Sequence, residues 1–555
     1  MFVGALAMVA VLASGSGWAS EKRAAFIPGE IIVKINRNDL SPTKAKALIH
    51  SALAKSVHVR SISSLFADDS LQKVVLSKGE SVYRAIERLK KTSGIRHAEP
   101  NHIYSLAGFE RALPDDERVA ELWGLNNTGQ RDREGQAGIA GADIHVLPLW
   151  DQGIRGDRKW IVAVVDTGIE WSHPDLVDNL YTNRGEVPGN KIDDDQNGLV
   201  DDIHGWNFIH KNAFSQDDHG HGTHCAGTIG ATGNNGKGVT GVNWQVSLMP
   251  LKILDRDGNG SLDAAVDAIY YAARMGVHVM NNSWGGGAQS EILREAIEHA
   301  RDAGILFVAA AGNTRTSCNN DVTPSYPANY DVENIISVAA SDNRDQLASF
   351  SCVGKRTVHV AAPGAWILST YKDQRYELMR GTSMAAPHVA GVAALLLSAR
   401  PDWTFAEIKD RLVRSTDKVG NMKRRIKGSG RINATQAWMG VYPPSFEPDE
   451  SAWKDISVNI ESPHPYADKS DLTFPIEVPG AQFVRLIFEQ VELEWGYDRL
   501  WLEDRTTGQK IMEVEGRAQN LVSDYVEGSK ARLRFTSDAS VNNWGFKVTR
   551  IQAIY

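Results

Sequence analysis

Six short apolar runs punctuate the middle of the chain: WIVAVVDTG (160–168), VSLMPLKIL (246–254), GVHVMNNSWGG (276–286), GILFVAAAGN (304–313), NIISVAASD (334–342) and TVHVAAPG (357–364). A strand with one wet face alternates apolar and polar residues, so runs that stay apolar belong in a sheet covered on both sides. Between them, LDAAVDAIYYAARMG (262–276) and SEILREAIEHARDAG (290–304) carry helical periodicity and serve as crossovers. The implied fold is α/β, a doubly wound parallel sheet, in which function gathers beyond the carboxyl ends of the strands. The residues to interrogate are therefore Asp166, the segment from Asn281 to Gly285, and Asn313.

The chain has 555 residues, more than one hydrophobic core usually supports, and its ends read differently from its middle. Met1 to Ser20 is an apolar run followed by small residues, which fits a cleaved export signal, although no Lys or Arg precedes it. From Gly29 the order is strand, helix, strand, helix, strand, a small α+β unit in which Val82, Ala85, Ile86 and Leu89 recur at helical spacing. It ends near Gly108 in a charged linker. After the Pro- and acid-rich VYPPSFEPDE (441–450), segments such as FVRLIFEQVELE and ARLRFTSD alternate apolar and polar residues, the pattern of an antiparallel β-sandwich. The expected domains are thus a signal at 1–20, a small unit at 26–108, the α/β domain at 109–442, a linker at 443–452 and a sandwich at 453–555.

A formal charge of −8 offers no basic footprint for nucleic acid. Beyond the first residues no segment is apolar for long enough to span a membrane, so a secreted, extracellular protein is expected, with a periplasmic location left open. Cys225, Cys318 and Cys352 allow one disulfide and one thiol in that oxidising setting.

Asp166 ends an apolar run, DDHGHGTHCAG (217–227) places His219, His221 and His224 in a glycine-rich turn, and Ser383 opens the long apolar segment GTSMAAPHVAGVAALLLSAR. A serine hydroxyl becomes a nucleophile when an imidazole takes its proton, and the imidazole needs a carboxylate to fix its tautomer. The Asn313 amide and the Ser383 N–H at a helix N-terminus could receive the charge on a reacting carbonyl. Taken singly, DTG is usually a turn and GTS an N-cap. Taken together, in the order Asp, His, Ser, they match longer strings: VVDTGIEWSHPDL, GHGTHCAGTIG, NNSWGG, AAAGN and GTSMAAPHVAGVAALL.

Over about Trp123 to Gly440 the chain closely resembles the subtilisin-like serine proteases, the subtilases of peptidase family S8. The resemblance implies a serine endopeptidase in which Asp166 orients the base, His221 is the base, Ser383 the nucleophile and Asn313 the oxyanion donor. It also implies that Gly258, Asn259, Gly260, Ser283, Trp284 and Gly285 bind extended polypeptide as an added strand. The small N-terminal unit then resembles the family's inhibitory propeptide, removed by the enzyme itself near Ala107 or Gly108. A catalytically dead scaffold would usually lose one of these positions, and an α/β-hydrolase esterase would need GxSxG around its serine; neither describes this chain.

For metals, KIDDDQNGLVDD puts Asp193, Asp195, Asn197 and Asp201 or Asp202 in a glycine-bent acidic loop of the kind Ca²⁺ prefers, EF-hand-like but without the closing glutamate. Subtilase resemblance adds Asp175 and Asn235 as calcium ligands. Zinc on the histidine turn is disfavoured, because the spacing is neither HExxH nor a CxxC pair. No organic cofactor is implied. Cys225 resembles the thiol beneath the catalytic histidine in the proteinase K branch, while Cys318 and Cys352, in loops after sheet strands, are expected to pair. Residues 453–552 resemble a CUB domain lacking the usual cysteines, which implies binding to a protein or cell-surface ligand; by position Glu494, Asp498 and Asp538 match the carboxylates of calcium-binding members.

Overall fold

The computed structural model describes residues 26–36, 42–53, 58–65, 68–77, 81–102, 113–286, 288–314 and 318–555. The signal segment and the expected cleavage point near Gly108 lie outside them. The chain divides into two compact units, Met1–Glu110 and Arg111–Tyr555.

In the first unit, β1 (Phe26–Ile35), α1 (Pro42–Leu53), β2 (Val59–Leu65), β3 (Asp68–Leu76), α2 (Val82–Lys90) and β4 (Ile95–His102) build an antiparallel sheet of order β2-β3-β1-β4 with two helices. Alternate residues of β1, Ile31, Val33 and Ile35, enter one core with Ile49 and Leu53 of α1 and with the periodic Val82, Ala85, Ile86 and Leu89 of α2. Ser81 starts α2 by accepting the Arg84 N–H at 3.3 Å. Strand β2 is the addition to the expected pattern. It lies at the sheet edge, and its polar VRSISSL sequence carries little apolar alternation.

The second unit opens with α3 (Leu147–Asp151), β5 (Gly156–Asp166), β6 (Trp206–Asn207), α4 (His221–Gly230), β7 (Gln245–Lys252), α5 (Leu262–Arg274), β8 (Val279–Asn282), α6 (Glu291–Asp302) and β9 (Leu306–Ala310). It continues through β10 (Ile335–Ser341), β11 (Val360–Pro363), β12 (Ile367–Tyr371), β13 (Arg375–Met379), α7 (Thr382–Ala399), α8 (Phe405–Arg414), β14 (Asp417–Lys418), β15 (Gly430–Arg431) and α9 (Ala434–Met439). Nine strands form one sheet, β14-β15-β11-β10-β9-β8-β5-β7-β6, parallel except where β14 meets β15.

Both faces are covered. Val162 and Val164 of β5 point into a core shared with α4 and α7, whereas Ala163 and Val165 point into a second core shared with α5 and α6. That division explains why the six runs are apolar throughout. From β5 the chain goes to β6 and β7 on one side and then crosses to β8 on the other, so the strand order reverses beside β5. Helix α7 is apolar and long enough to cross a membrane, but most of it is buried in the first core. Burying each of its leucines there is worth about 2 kcal/mol. The antiparallel hairpin β12–β13 packs over α4 and was not foreseen from the sequence.

The remaining strands are β16 (Lys454–Glu461), β17 (Asp471–Glu477), β18 (Phe483–Glu492), β19 (Arg499–Asp504), β20 (Lys510–Val514), β21 (Arg517–Glu527), β22 (Lys530–Thr536) and β23 (Gly545–Ile554). They make two antiparallel sheets, β16-β23-β18-β21 and β17-β22-β19-β20, around one core that includes Leu486, Phe488, Leu533, Phe535 and Phe546. This sandwich does not form a unit of its own; it clusters with the parallel sheet.

Candidate active site

Beside the strand reversal a cleft of about 900 Å³ opens, lined by His219, His221, Asn313 and Ser383 and by all six of the expected strand-binding residues, Gly258, Asn259, Gly260, Ser283, Trp284 and Gly285. Asp166, the last residue of β5, is fully buried. His221 is the first residue of α4, and its Nδ1 donates to Asp166 Oδ1 at 2.8 Å. The Thr167 N–H donates to the same oxygen at 2.7 Å. Burial pulls the His221 imidazole down, but the charge and hydrogen bond of Asp166, with a contribution from Asp217, raise it on balance.

Such an approach of helix to strand end requires glycine. A Cβ on Gly222 would sit 2.1 Å from the Gly168 carbonyl oxygen. Gly220 at the N-cap has φ of 109° and offers no side chain to cap α4. Asp217 supplies the missing acceptor. Its Oδ1 takes the N–H groups of His219 and Gly220 and the Thr167 hydroxyl, at 2.8–2.9 Å, and its Oδ2 takes the Thr223 N–H and hydroxyl at 2.9 and 2.6 Å. Nothing local in the sequence marks Asp217 apart from Asp218, which instead pairs with the buried Lys252 at 2.7 Å.

The three histidines differ in kind. His224 is fully buried, its Nε2 lies 3.0 Å from the Ile367 carbonyl and 3.1 Å from that of Glu377, and burial pushes it down to about 3. His219 stands at the cleft, with its carbonyl held by the Tyr371 hydroxyl at 3.0 Å.

Ser383 lies in the first turn of α7. Its hydroxyl donates to the Ser283 carbonyl at 3.0 Å rather than to His221. The Ser383 carbonyl would ordinarily bond the N–H four residues on, but that residue is Pro387. Ser283 Oγ at 2.9 Å and Cys225 Sγ at 3.4 Å donate to it instead. Burial and the nearby Asp166 charge push the Cys225 thiol well up, which favours the protonated donor. Asn313 follows β9, and its Oδ1 accepts the Thr382 N–H at 2.8 Å, which leaves the Nδ2 end of the amide for a ligand. Cys318 and Cys352 are joined in a disulfide with Cα atoms 4.6 Å apart.

Three groups of carboxylates lie away from this cleft. Asp193 and Asp195 converge with Glu186, their oxygens within 4.8 Å of one another. Glu186 comes from upstream of the loop, where EF-hand spacing would not find it. The other loop residues are engaged elsewhere: Asp202, fully buried, accepts from Asn183, Asn197 and the Tyr271 hydroxyl at 2.6–2.8 Å, and Asp201 accepts the Gly189 and Lys191 N–H groups.

In the second group Asp175 accepts from Asn235 Nδ2 at 3.0 Å and from the Val239 N–H and Tyr376 hydroxyl. Asp116, a residue the sequence did not flag, accepts the Asn234 N–H at 2.8 Å, and burial together with the charge of Asp175 pushes it up. Both carboxylates are at least 98% buried, and among the described residues no Lys or Arg pairs with either. Asn235 turns its Nδ2–H toward Asp175 and its Oδ1 takes the Lys237 N–H at 2.9 Å, so the two carboxylates are what a hard divalent cation would find here. The third group is Glu494, Asp498 and Asp538, in which Glu494 Oε2 is buried without a partner, and burial and the two neighbouring carboxylates raise Glu494.

Residues 157–430 match the model of the subtilase family, and residues 13–101 match that of the fervidolysin N-terminal prodomain. A thermophilic serine proteinase of Bacillus sp. (strain AK1) is 33% identical over 418 residues, 75% of this chain and 89% of that one. Thermitase of Thermoactinomyces vulgaris is 38% identical over 294 residues, 53% of this chain and 93% of thermitase. Subtilisin DY of Bacillus licheniformis is 38% identical over 286 residues, 52% of this chain and 93% of its own length. The doubly wound sheet, the prodomain and these relatives make the chain a member of the subtilase family, a subtilisin-like serine endopeptidase with an N-terminal prodomain.

Proposed function

We infer that this endopeptidase hydrolyses extended polypeptide through Asp166, His221 and Ser383, with Asn313 as oxyanion donor. The observation that carries the reading is the 2.8 Å bond from His221 Nδ1 to buried Asp166, made in the same cleft as Ser383 and Asn313. A rotation of the Ser383 hydroxyl away from Ser283 brings its proton to Nε2 of His221. The oxygen then attacks the scissile carbonyl, Asp166 stabilises the imidazolium, and His221 returns the proton to the amine as the C–N bond breaks; a water deprotonated by His221 then cleaves the Ser383 ester, releasing the acid and restoring the hydroxyl. The Asn313 Nδ2 group and the N–H groups at the start of α7 receive the oxyanion. The segments 258–260 and 283–285, which follow β7 and β8, line the cleft as edges to which substrate backbone adds.

The same reading makes the protein a secreted zymogen: a signal at 1–20, an inhibitory propeptide at 26–108, a catalytic domain at 109–442, a linker at 443–452 and a CUB-like domain at 453–555 that binds a protein or cell-surface ligand. Calcium is structural. Glu186, Asp193 and Asp195 would hold one ion, Asp116, Asp175 and Asn235 a second, and Glu494, Asp498 and Asp538 a third; each neutralises clustered carboxylates and takes no part in the bond cleavage.

The test is Ser383→Ala. Casein hydrolysis falls on the order of 10⁶-fold in kcat, and the variant keeps its propeptide on N-terminal sequencing. Hydrolysis that survives the substitution overturns the reading.

A further inference from the structure

The sandwich meets the parallel-sheet body along a seam crossed by ion pairs. The body contributes Lys355, Lys423 and Arg424; strand β21 and the join before the sandwich contribute Asp524, Glu527 and Glu447. Lys355 pairs with Asp524 and, at 3.3 Å, with Glu447, and its ammonium lies 4.6 Å from the Tyr525 ring centroid. Glu527 takes Lys423 at 2.6 Å and Arg424 at 3.3 Å, and the Arg424 guanidinium stands 4.1 Å from the same ring. Lys355 and Asp524 keep only 22% and 21% of their side-chain exposure, so solvent screens them less than a surface pair.

Lys355 extends from the strip of backbone that fixes Asn313. Asn313 bridges to Ser351, the Cys352 N–H donates to the Gly312 carbonyl at 3.0 Å, and the Thr314 N–H donates to Phe350 at 2.9 Å. The disulfide joins Cys352 to Cys318, and the Val353 N–H bonds the Cys318 carbonyl at 3.0 Å. The Gly354 N–H then donates to the Arg425 carbonyl at 2.8 Å, next to the two other cations of the seam. Asn313 is therefore held from one side by Thr382 and from the other by residues 350–354.

We propose that the sandwich is a brace for the oxyanion donor: its carboxylates clasp Lys355, and Lys355, as a positioning residue, steadies the strip that aligns Asn313. The proposal rests on Asn313 acting in the oxyanion hole. Alignment matters there because a displacement of about 1 Å near the chemistry costs on the order of 10²-fold.

Lys355→Glu, Asp524→Lys and the charge-swapped double variant are assayed on a chromogenic peptide for kcat and KM, with melting temperature followed in parallel. Each single variant lowers kcat on the order of 3- to 10-fold with KM nearly unchanged, and the swap restores it. Raising salt from about 0.05 M to about 1 M moves the wild type toward Lys355→Glu. Lower melting temperature with intact kcat overturns the proposal and leaves the sandwich a simple stabiliser, as does failure of the swap to rescue kcat. Should a reversal not fold, Glu447→Gln, which removes the second carboxylate on Lys355, is read the same way. Asn313→Ala separates the two readings: unchanged kcat in that variant defeats the oxyanion assignment itself. If it lowers kcat, adding Lys355→Glu changes nothing further, whereas additive losses defeat the brace alone.

Discussion

Asp217 receives hydrogen bonds from the loop of Asp166 and the turn of His221 without bonding either side chain. Its role is to hold two reacting groups in register while adding negative charge near the imidazole. In the proposed reaction His221 takes a proton and must be neutral, and its raised pKa is expected to set the acid limb of the rate profile above that of a free imidazole. Asp217→Asn removes one charge and turns an NH₂ donor toward N–H and O–H donors, so the acid limb of kcat/KM moves to lower pH while kcat falls on the order of 10-fold. A pH–rate profile with an unmoved limb would show that Asp217 acts only through packing. At this scale the sequence was readable in where the proposed residues fall: Asp166 ends β5, Asn313 follows β9, and His221 and Ser383 lie in the first turns of α4 and α7. It was silent on Asp217, Glu186 and Asp116, because each acts on a partner brought to it by folding and none changes the local pattern.

Elements, rather than residues, decide how near α4 can come to β5. Gly222 faces the Gly168 carbonyl with no room for a methyl group, so Gly222→Ala pushes the helix from the strand end and lengthens the His221–Asp166 bond. The expected outcome is a fall in kcat on the order of 10²-fold with the far-ultraviolet dichroism retained. Gly420→Ala, where a Cβ meets nothing within 4 Å, serves as the control and leaves kcat unchanged. The parallel strands were legible because burial on both faces writes itself as unbroken apolar sequence. The hairpin β12–β13, the edge strand β2 and the two-residue strands β14 and β15 were not: β2 and β13 are half exposed, β12 mixes Ser and Thr into its buried run, and β14 and β15 are too short to show a period. Tyr371 of that hairpin nevertheless shapes the site from outside, its ring filling the space a Cβ on Gly220 would need.

At the scale of the molecule, three clusters of carboxylates store negative charge that a chelatable cation would relieve. EDTA lowers the melting temperature by several degrees, on the order of 5–10 °C, and added Ca²⁺ restores it; a chelator-indifferent melting curve rules the calcium assignments out. Changes in periodicity separate the parallel strands from the antiparallel ones in the sequence, but Glu447, within the join VYPPSFEPDE expected as a linker, engages Lys355. Ion pairs between segments far apart in sequence leave no periodic trace. Helix α7 carries a further consequence. Because Ser383 lies in the first turn of the helix that fills the larger core, it cannot be loosened without dismantling the sheet around it. A partly heated sample should therefore contain only fully working and fully silent molecules, and its residual hydrolysis counts the survivors.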